Sequence, residues 1–185
     1  MAYITRELER KFLKLNDFFK VILVTGARQV GKTTMLKHLA ESSRTYVTMD
    51  NTMARALAQS DPVLFFQTYK PPILIDEVQK APELFPQIKM IVDRDRKKGQ
   101  FFMCGSQQFT MMKGVSESLA GRLGLVTLLG FSLREKHDVD FDEPFLPTDK
   151  FFAERKKQLA DITYDDVWET IHRGSMPELY ANSDF

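Results

Sequence analysis

Between Val21 and Thr34 the chain reads VILVTGARQVGKTT. Four apolar residues, Val21 to Val24, end at Thr25-Gly26, the pattern of a short strand buried on both faces. Met35, Leu36, Leu39 and Ala40 then recur as one face of a helix. The turn between them, Gly26-Ala27-Arg28-Gln29-Val30-Gly31-Lys32-Thr33, carries G-x-x-x-x-G-K-[ST] at every fixed position. Gly26 and Gly31 let the backbone enter conformations that side chains obstruct. The N–H groups of such a loop turn inward as an anion nest, reinforced by the positive end of the following helix. A strand, loop and helix joined in this way belong to a sheet covered by helices.

The rest of the chain repeats that alternation. Ile4, Leu8, Phe12, Leu15 and Phe19 predict an amphipathic helix over 4–19. Tyr46 to Met49 reads as a second strand. Two short helices are expected within 53–69, with Asp61 as N-cap and Pro62 at the first helical position. Residues 73–76 (ILID) form another strand, and Leu84, Phe85, Ile88, Ile91 and Val92 place a helix over 82–98. FFMCGS (101–106) and LGLVTLLG (123–130) supply two more strands. Strands separated by helices pair in parallel through crossover connections, so the expected fold is α/β, a three-layer α/β/α domain with a mainly parallel sheet. Beyond Phe131 an acidic, proline-containing stretch reads as a linker. Helices are expected near 148–160 and 163–173, the second opened by the capping pattern Thr163-x-x-Asp166. The expected division is a P-loop domain over 1–135 and, over 136–185, a linker with the helical start of a second, incomplete domain.

The loop chemistry is specific. Gly26, Ala27, Arg28, Gln29, Val30, Gly31, Lys32, Thr33 and Thr34 would wrap the phosphates, Lys32 would reach the β- and γ-phosphates, and the Thr33 hydroxyl would ligate Mg²⁺. Asp76, at the end of the ILID strand, is placed to hold that magnesium through water, and Glu77 beside it can orient and deprotonate a water. Hydrolysis of ATP is the chemistry such a set implies. A guanine-reading Asn-Lys-x-Asp segment is missing, which argues against a GTPase.

Composition excludes other classes. Twenty-six basic residues face 25 acidic ones, a formal net charge of +1, so neutralising a nucleic-acid backbone is not the main task. The cluster DRDRKK (93–98) is expected to cap a helix end and face solvent. His38, His137 and His172 lack metal-ligand spacing and read as surface residues. Asp138, Asp140, Asp142 and Glu143 lack the glycine and spacing of a calcium loop. The lone Cys104 permits no internal disulfide and reads as core on an apolar strand. No secretory signal or bilayer-length apolar run is visible, so a cytoplasmic protein without membrane contact is expected.

GARQVGKTT, LIDEVQKAPELF, GSQQF, SESLAGR and IHRGSMPELY together resemble the prokaryotic AAA-type P-loop ATPases in which the ATPase domain precedes a C-terminal domain of unknown function. The resemblance runs from about Tyr3 to the C-terminus and implies that the chain stops after the ATPase domain. In such ATPases another strand lies between the phosphate-loop strand and the acidic strand, and a polar residue at its end senses the γ-phosphate. Ser106 and Gln107 stand there, and Ser106 is the choice. Arg122 occupies the place of a finger arginine that reaches the nucleotide of a neighbouring subunit, implying a homo-oligomer. The expected function is Mg-dependent ATP binding and hydrolysis coupled to a protein or DNA partner or to a conformational switch; the alternative is a nucleotide-binding scaffold with negligible turnover. In either case Lys32→Ala should abolish or severely weaken ATP binding while leaving the fold intact, because it deletes a charge-assisted phosphate contact. Calorimetric titration with ATP checks this, and near-wild-type affinity would overturn the assignment of the loop.

Overall fold

A computed structural model describes residues 3–106, 118–140, 143, 145–157 and 162–181. It divides into two compact units, Leu8–Leu128 and a second formed by Met1–Glu7 with Leu129–Phe185. In the first, α1 (Leu8–Phe18) leads to β1 (Val21–Thr25), the phosphate loop and α2 (Lys32–Leu39). Then come β2 (Thr45–Thr48), α3 (Thr52–Ser60), α4 (Pro62–Thr68), β3 (Ile73–Asp76), a 3₁₀ turn (Val78–Lys80), α5 (Leu84–Arg94), β4 (Phe101–Cys104) and β5 (Leu123–Thr127).

The five strands form one sheet in the order β2-β3-β4-β1-β5, and every pairing is parallel. As expected from the resemblance, β4 lies between the phosphate-loop strand β1 and the acidic strand β3. Alternation along the strands builds the layers. Val21, Leu23, Ile73, Ile75, Phe101 and Met103 share a buried cluster with Ala54, Ala58, Phe65, Phe66, Leu84, Phe85, Ile88 and Val92 from α3, α4 and α5. Their neighbours in the strands, such as Ile22 and Phe102, point the other way. On that face Phe12 of α1 meets Phe102 edge-on at 4.8 Å, and Gly124 of β5 leaves room for Phe19 and Leu15. The fold is therefore α/β, with helices covering both faces of a parallel sheet.

Local signals explain most element ends. The Asn51 side chain accepts from the Met53 and Ala54 amides to start α3, and Asp61 accepts from Leu64 N to start α4 behind Pro62. Two expected helices are shorter than their periodicity. α1 begins at Leu8 rather than residue 4, because the Glu7 N–H is taken by Glu135 Oε1 at 2.8 Å. α5 ends at Arg94 rather than residue 98: Asp95 turns extended (φ −104, ψ 137) and its carboxylate accepts from Lys97 N at 3.0 Å. The charged DRDRKK stretch thus straddles a helix end instead of continuing the helix.

In the second unit the region read as linker opens with a short helix, α6 (Leu133–Lys136), started by a reciprocal capping box between Ser132 and Glu135. Glu135 also pairs with Arg6 at 3.0 Å, both side chains 5% exposed or less. Helices α7 (Asp149–Lys156), α8 (Tyr164–Arg173) and α9 (Glu178–Ala181) follow. Thr163 and Asp166 make the expected capping box. Tyr180 packs edge-on to Phe131, and the Arg173 guanidinium lies 4.6 Å from its ring centre. Val167, Trp168 and Ile171 of α8 remain exposed, at 46%, 55% and 63%. Among the described residues no helix is long and apolar enough to cross a membrane.

Phe12 is fully buried at the joint between α1 and the sheet. Phe12→Ala should lower unfolding stability by about 3–5 kcal/mol, the range for deleting a core aromatic ring. Urea denaturation followed by circular dichroism measures it, and a loss under about 1 kcal/mol would show that α1 adds little to the core.

Candidate functional site

Parallel pairing sets the strand ends level, and the chemistry gathers at the carboxyl edge of three adjacent strands. Gly26 leaves β1, Asp76 closes β3 and Ser106 follows β4. Gly26 has φ 148, and a Cβ there would lie 2.2 Å from the Leu128 carbonyl oxygen, so no side chain fits. Gln29 and Gly31 also have positive φ, 63 and 89, which curl the loop into the first turn of α2. Val30 is 2% exposed and anchors the loop, while Ala27, Arg28 and Gln29 are exposed at its rim. Lys32 is buried at 7% and donates to the Gly26 and Ala27 carbonyls at 3.2 and 2.6 Å, which aims its ammonium into the loop's hollow. Thr34 is exposed on the outer side of α2.

Thr33 and Asp76 meet directly: Thr33 Oγ1 donates to Asp76 Oδ1 at 3.0 Å. Two hard oxygen donors side by side have the chemistry to hold a magnesium ion, which would need further oxygen ligands from outside the protein. Among the described residues no group of three or more His, Cys, Asp or Glu could hold a metal ion. Oδ1 of Asp76 also accepts from the Glu77 amide at 3.1 Å and from Cys104 Sγ at 2.9 Å, and Oδ2 accepts from Tyr46 OH at 3.2 Å. Burial, and next the Asp76 carboxylate, push the Cys104 thiol well above its ordinary value, so it stays protonated and donates. Cys104 is thus buried as expected, but it is also a partner of the site. Tyr46 and Cys104 were hidden from motif reading. The signal for Cys104 was strand alignment, since Met103 pairs with Ile75 and the next residues, Cys104 and Asp76, fall level.

Glu77 sits in a left-handed conformation (φ 55) that turns the chain sharply out of β3. The carboxylate of Glu77 accepts from Gln79 Nε2, whose amide also lies 3.2 Å from Ser106 Oγ. Gln79 is a residue that no motif pointed to. Gln107 lies outside the described residues, as does Asp142 of the acidic stretch. His38, His137 and His172 are exposed.

Arg122 stands apart. It precedes Leu123, which pairs with Val21 at the start of β1, whereas the phosphate loop leaves the end of β1. A strand of five residues spans roughly 16 Å, so Arg122 lies at the opposite edge of the sheet from the loop of its own chain. There it forms an ion pair with Asp93, with Nη2 to Oδ2 at 3.1 Å. The hydrogen bond between them holds the Asp93 carboxyl below its usual range and raises the Arg122 guanidinium.

A family model described as AAA domain matches residues 18–137. Two curated relatives, uncharacterized proteins Mb2031c of Mycobacterium bovis and Rv2008c of Mycobacterium tuberculosis, are each 36% identical over 115 residues, 62% of this chain and 26% of theirs. The chain thus spans about a quarter of the length of the curated relatives it matches. Among solved structures, a Walker-type ATPase of Pyrococcus abyssi is similar over 95% of this chain and 65% of that chain, with a TM-score of 0.52 and 14% identity. That likeness is one of fold.

The phenol end of Tyr46 meets Asp76, although the residue as a whole is 40% exposed. Burial, and next the Asp76 carboxylate, push its ionisation up from 10.0 to about 12. Below pH 10 the phenol is protonated in both the folded and unfolded chain. As pH rises the unfolded chain loses that proton first, so stability should fall between pH 10 and about 12. Phenolate absorbance should show a late step that Tyr46→Phe removes, together with the part of the alkaline loss of stability that Tyr46 causes. A Tyr46→Phe titration identical to wild type would contradict this.

Proposed function

The chain belongs to the AAA domain family of nucleotide-binding, ATPase-type proteins, and from that premise we propose that it binds ATP with Mg²⁺ and hydrolyses it. The observation that carries this reading is the 3.0 Å bond between Thr33 and Asp76, which joins the phosphate loop to an acidic strand with Glu77 next in line. Lys32, already aimed into the hollow of the loop, neutralises β- and γ-phosphate charge when a nucleotide takes the place of the carbonyls it now contacts. Backbone N–H groups of the loop donate to the same phosphates. Thr33 and Asp76 would hold the metal, Thr33 directly and Asp76 through water. Bound Mg²⁺ supplies neutralisation of the charge that spreads over the phosphoryl oxygens.

Glu77 acts as general base: its carboxylate orients a water and takes its proton as the water attacks the γ-phosphorus. Ser106, at the end of the strand between the loop and the acid, meets the γ-phosphate. Arg122 cannot reach that phosphate within its own chain across the sheet, so its role is in trans, toward the nucleotide of a second copy, after release from Asp93. A protein or DNA partner, or a conformational switch, would take up the cycle.

Steady-state phosphate release tests the reading. Glu77→Gln keeps size and hydrogen bonding but removes the base, so ATP should bind while turnover falls ~10²–10⁴-fold. Negligible release from wild type and variant alike, with ATP still bound, would instead assign a nucleotide-binding scaffold. Wild-type activity per subunit should rise with protein concentration. Arg122→Ala and Glu77→Gln, each inactive alone, should regain partial activity when mixed. A concentration-independent rate without complementation would remove Arg122 from the mechanism.

A further inference from the structure

Gln79 stands between two residues to which the proposed mechanism gives separate tasks. Its Nε2 donates to Glu77 Oε2 and lies 3.2 Å from Ser106 Oγ, so one amide joins the base to the residue that meets the γ-phosphate. The other amide atom, Oε1, is buried and finds no donor among the described residues. Exchanging the two atoms would set an oxygen against the Glu77 carboxylate, so the network itself fixes which way the amide points.

The backbone beneath it has little freedom. Lys80 N donates to Glu77 O at 3.0 Å and Ala81 N donates to Val78 O at 3.0 Å, closing the turn on itself. Val78 and Ala81 are fully buried and fasten that turn to the core, and Gln59 Nε2 donates to Lys80 O at 2.8 Å from α3. A side chain needed only to fill space has no use for an amide, and burying one is costly unless its polar atoms find partners. What the amide gains in return is the carboxylate on one side and the hydroxyl on the other.

We propose that Gln79 is a positioning residue: it orients the Glu77 carboxylate and couples it to Ser106, so that contact at the γ-phosphate is felt at the base. The proposal rests on the reading of Glu77 as base and Ser106 as phosphate contact. Gln79 holds one oxygen of Glu77, leaving Oε1 of that carboxylate as the atom able to take a proton from water. When Ser106 turns toward phosphate, the amide stays on Glu77 alone. No covalent step is added.

Gln79→Leu keeps the volume and deletes the donors. It should lower kcat ~10–100-fold, the range for loss of a group that orients a site residue. KM and the calorimetric ATP affinity should stay within about twofold, because the Gln79 amide bonds Glu77 and Ser106 rather than the loop that grips phosphate. Placed on Glu77→Gln, it should cause no further loss in single-turnover hydrolysis, since residues acting through one another are not additive. In isotope-labelled protein without nucleotide, the Gln79 side-chain amide resonance should move in both Ser106→Ala and Glu77→Ala.

Unchanged kcat in Gln79→Leu, a raised KM at unchanged kcat, a multiplied loss in the double variant, or an unmoved amide resonance would each overturn the proposal while leaving Glu77 as the base. Wild-type turnover in Glu77→Gln would bring down the assignment of the base, and this proposal with it. The two failures are therefore told apart by which single variant retains activity.

Discussion

The Asp76 carboxylate is the point on which the site hangs. It is 8% exposed and accepts hydrogen bonds from Thr33, Cys104, Tyr46 and the Glu77 backbone. Those donors come from the loop helix α2, from β4, from β2 and from the turn after β3. A buried carboxylate demands such partners, because an unsatisfied one is costly to keep from water. Satisfying it here pins four separate segments within hydrogen-bond reach of one another. The parallel sheet makes this feasible by bringing the carboxyl ends of its strands to one edge. Had β4 been placed elsewhere in the sheet, Cys104 would not reach Asp76 and Ser106 would not reach Gln79.

The parts of this arrangement that a reader of the sequence could see are those with local causes. The glycine loop announces itself because its backbone demands are met by residue type at fixed spacing. The strand ILID and its terminal acids are visible because a buried parallel strand is a continuous apolar run. Asp61 and Thr163 are legible as caps for the same local reason. The order of the strands was legible only through resemblance, since periodicity is silent on which strands are neighbours.

What stayed hidden depends on long-range contact or on competition at helix ends. Tyr46 lies thirty positions from Asp76 in sequence, and no spacing rule links a residue of one strand to the acid of another. Gln79 is close in sequence to Glu77, yet its contact exists only because Glu77 takes a left-handed turn. The apolar periodicity of α1 continues back through Ile4, but the helix starts only at Leu8, since the Glu7 amide is committed to Glu135. Ser132-x-x-Glu135 is a local capping pattern, but it sits where the composition turns acidic and proline-containing and periodicity fades. Arg122 could be placed before a strand, but only the register of β5 on β1 puts it at the far edge of the sheet.

The close approach of Gly26 to Leu128 gives the loop a dependence beyond its own residues. The Leu128 carbonyl fills the space that a side chain at position 26 would need, and its amide donates to Thr25 O at 2.8 Å. The mould for the phosphate grip is therefore cut by the exit of a neighbouring strand as much as by the glycine motif. Any substitution that lets β5 slide or splay would loosen the hold on phosphate without altering one residue that touches it. Damage of that kind would look like a binding defect and yet map to a strand that binds nothing.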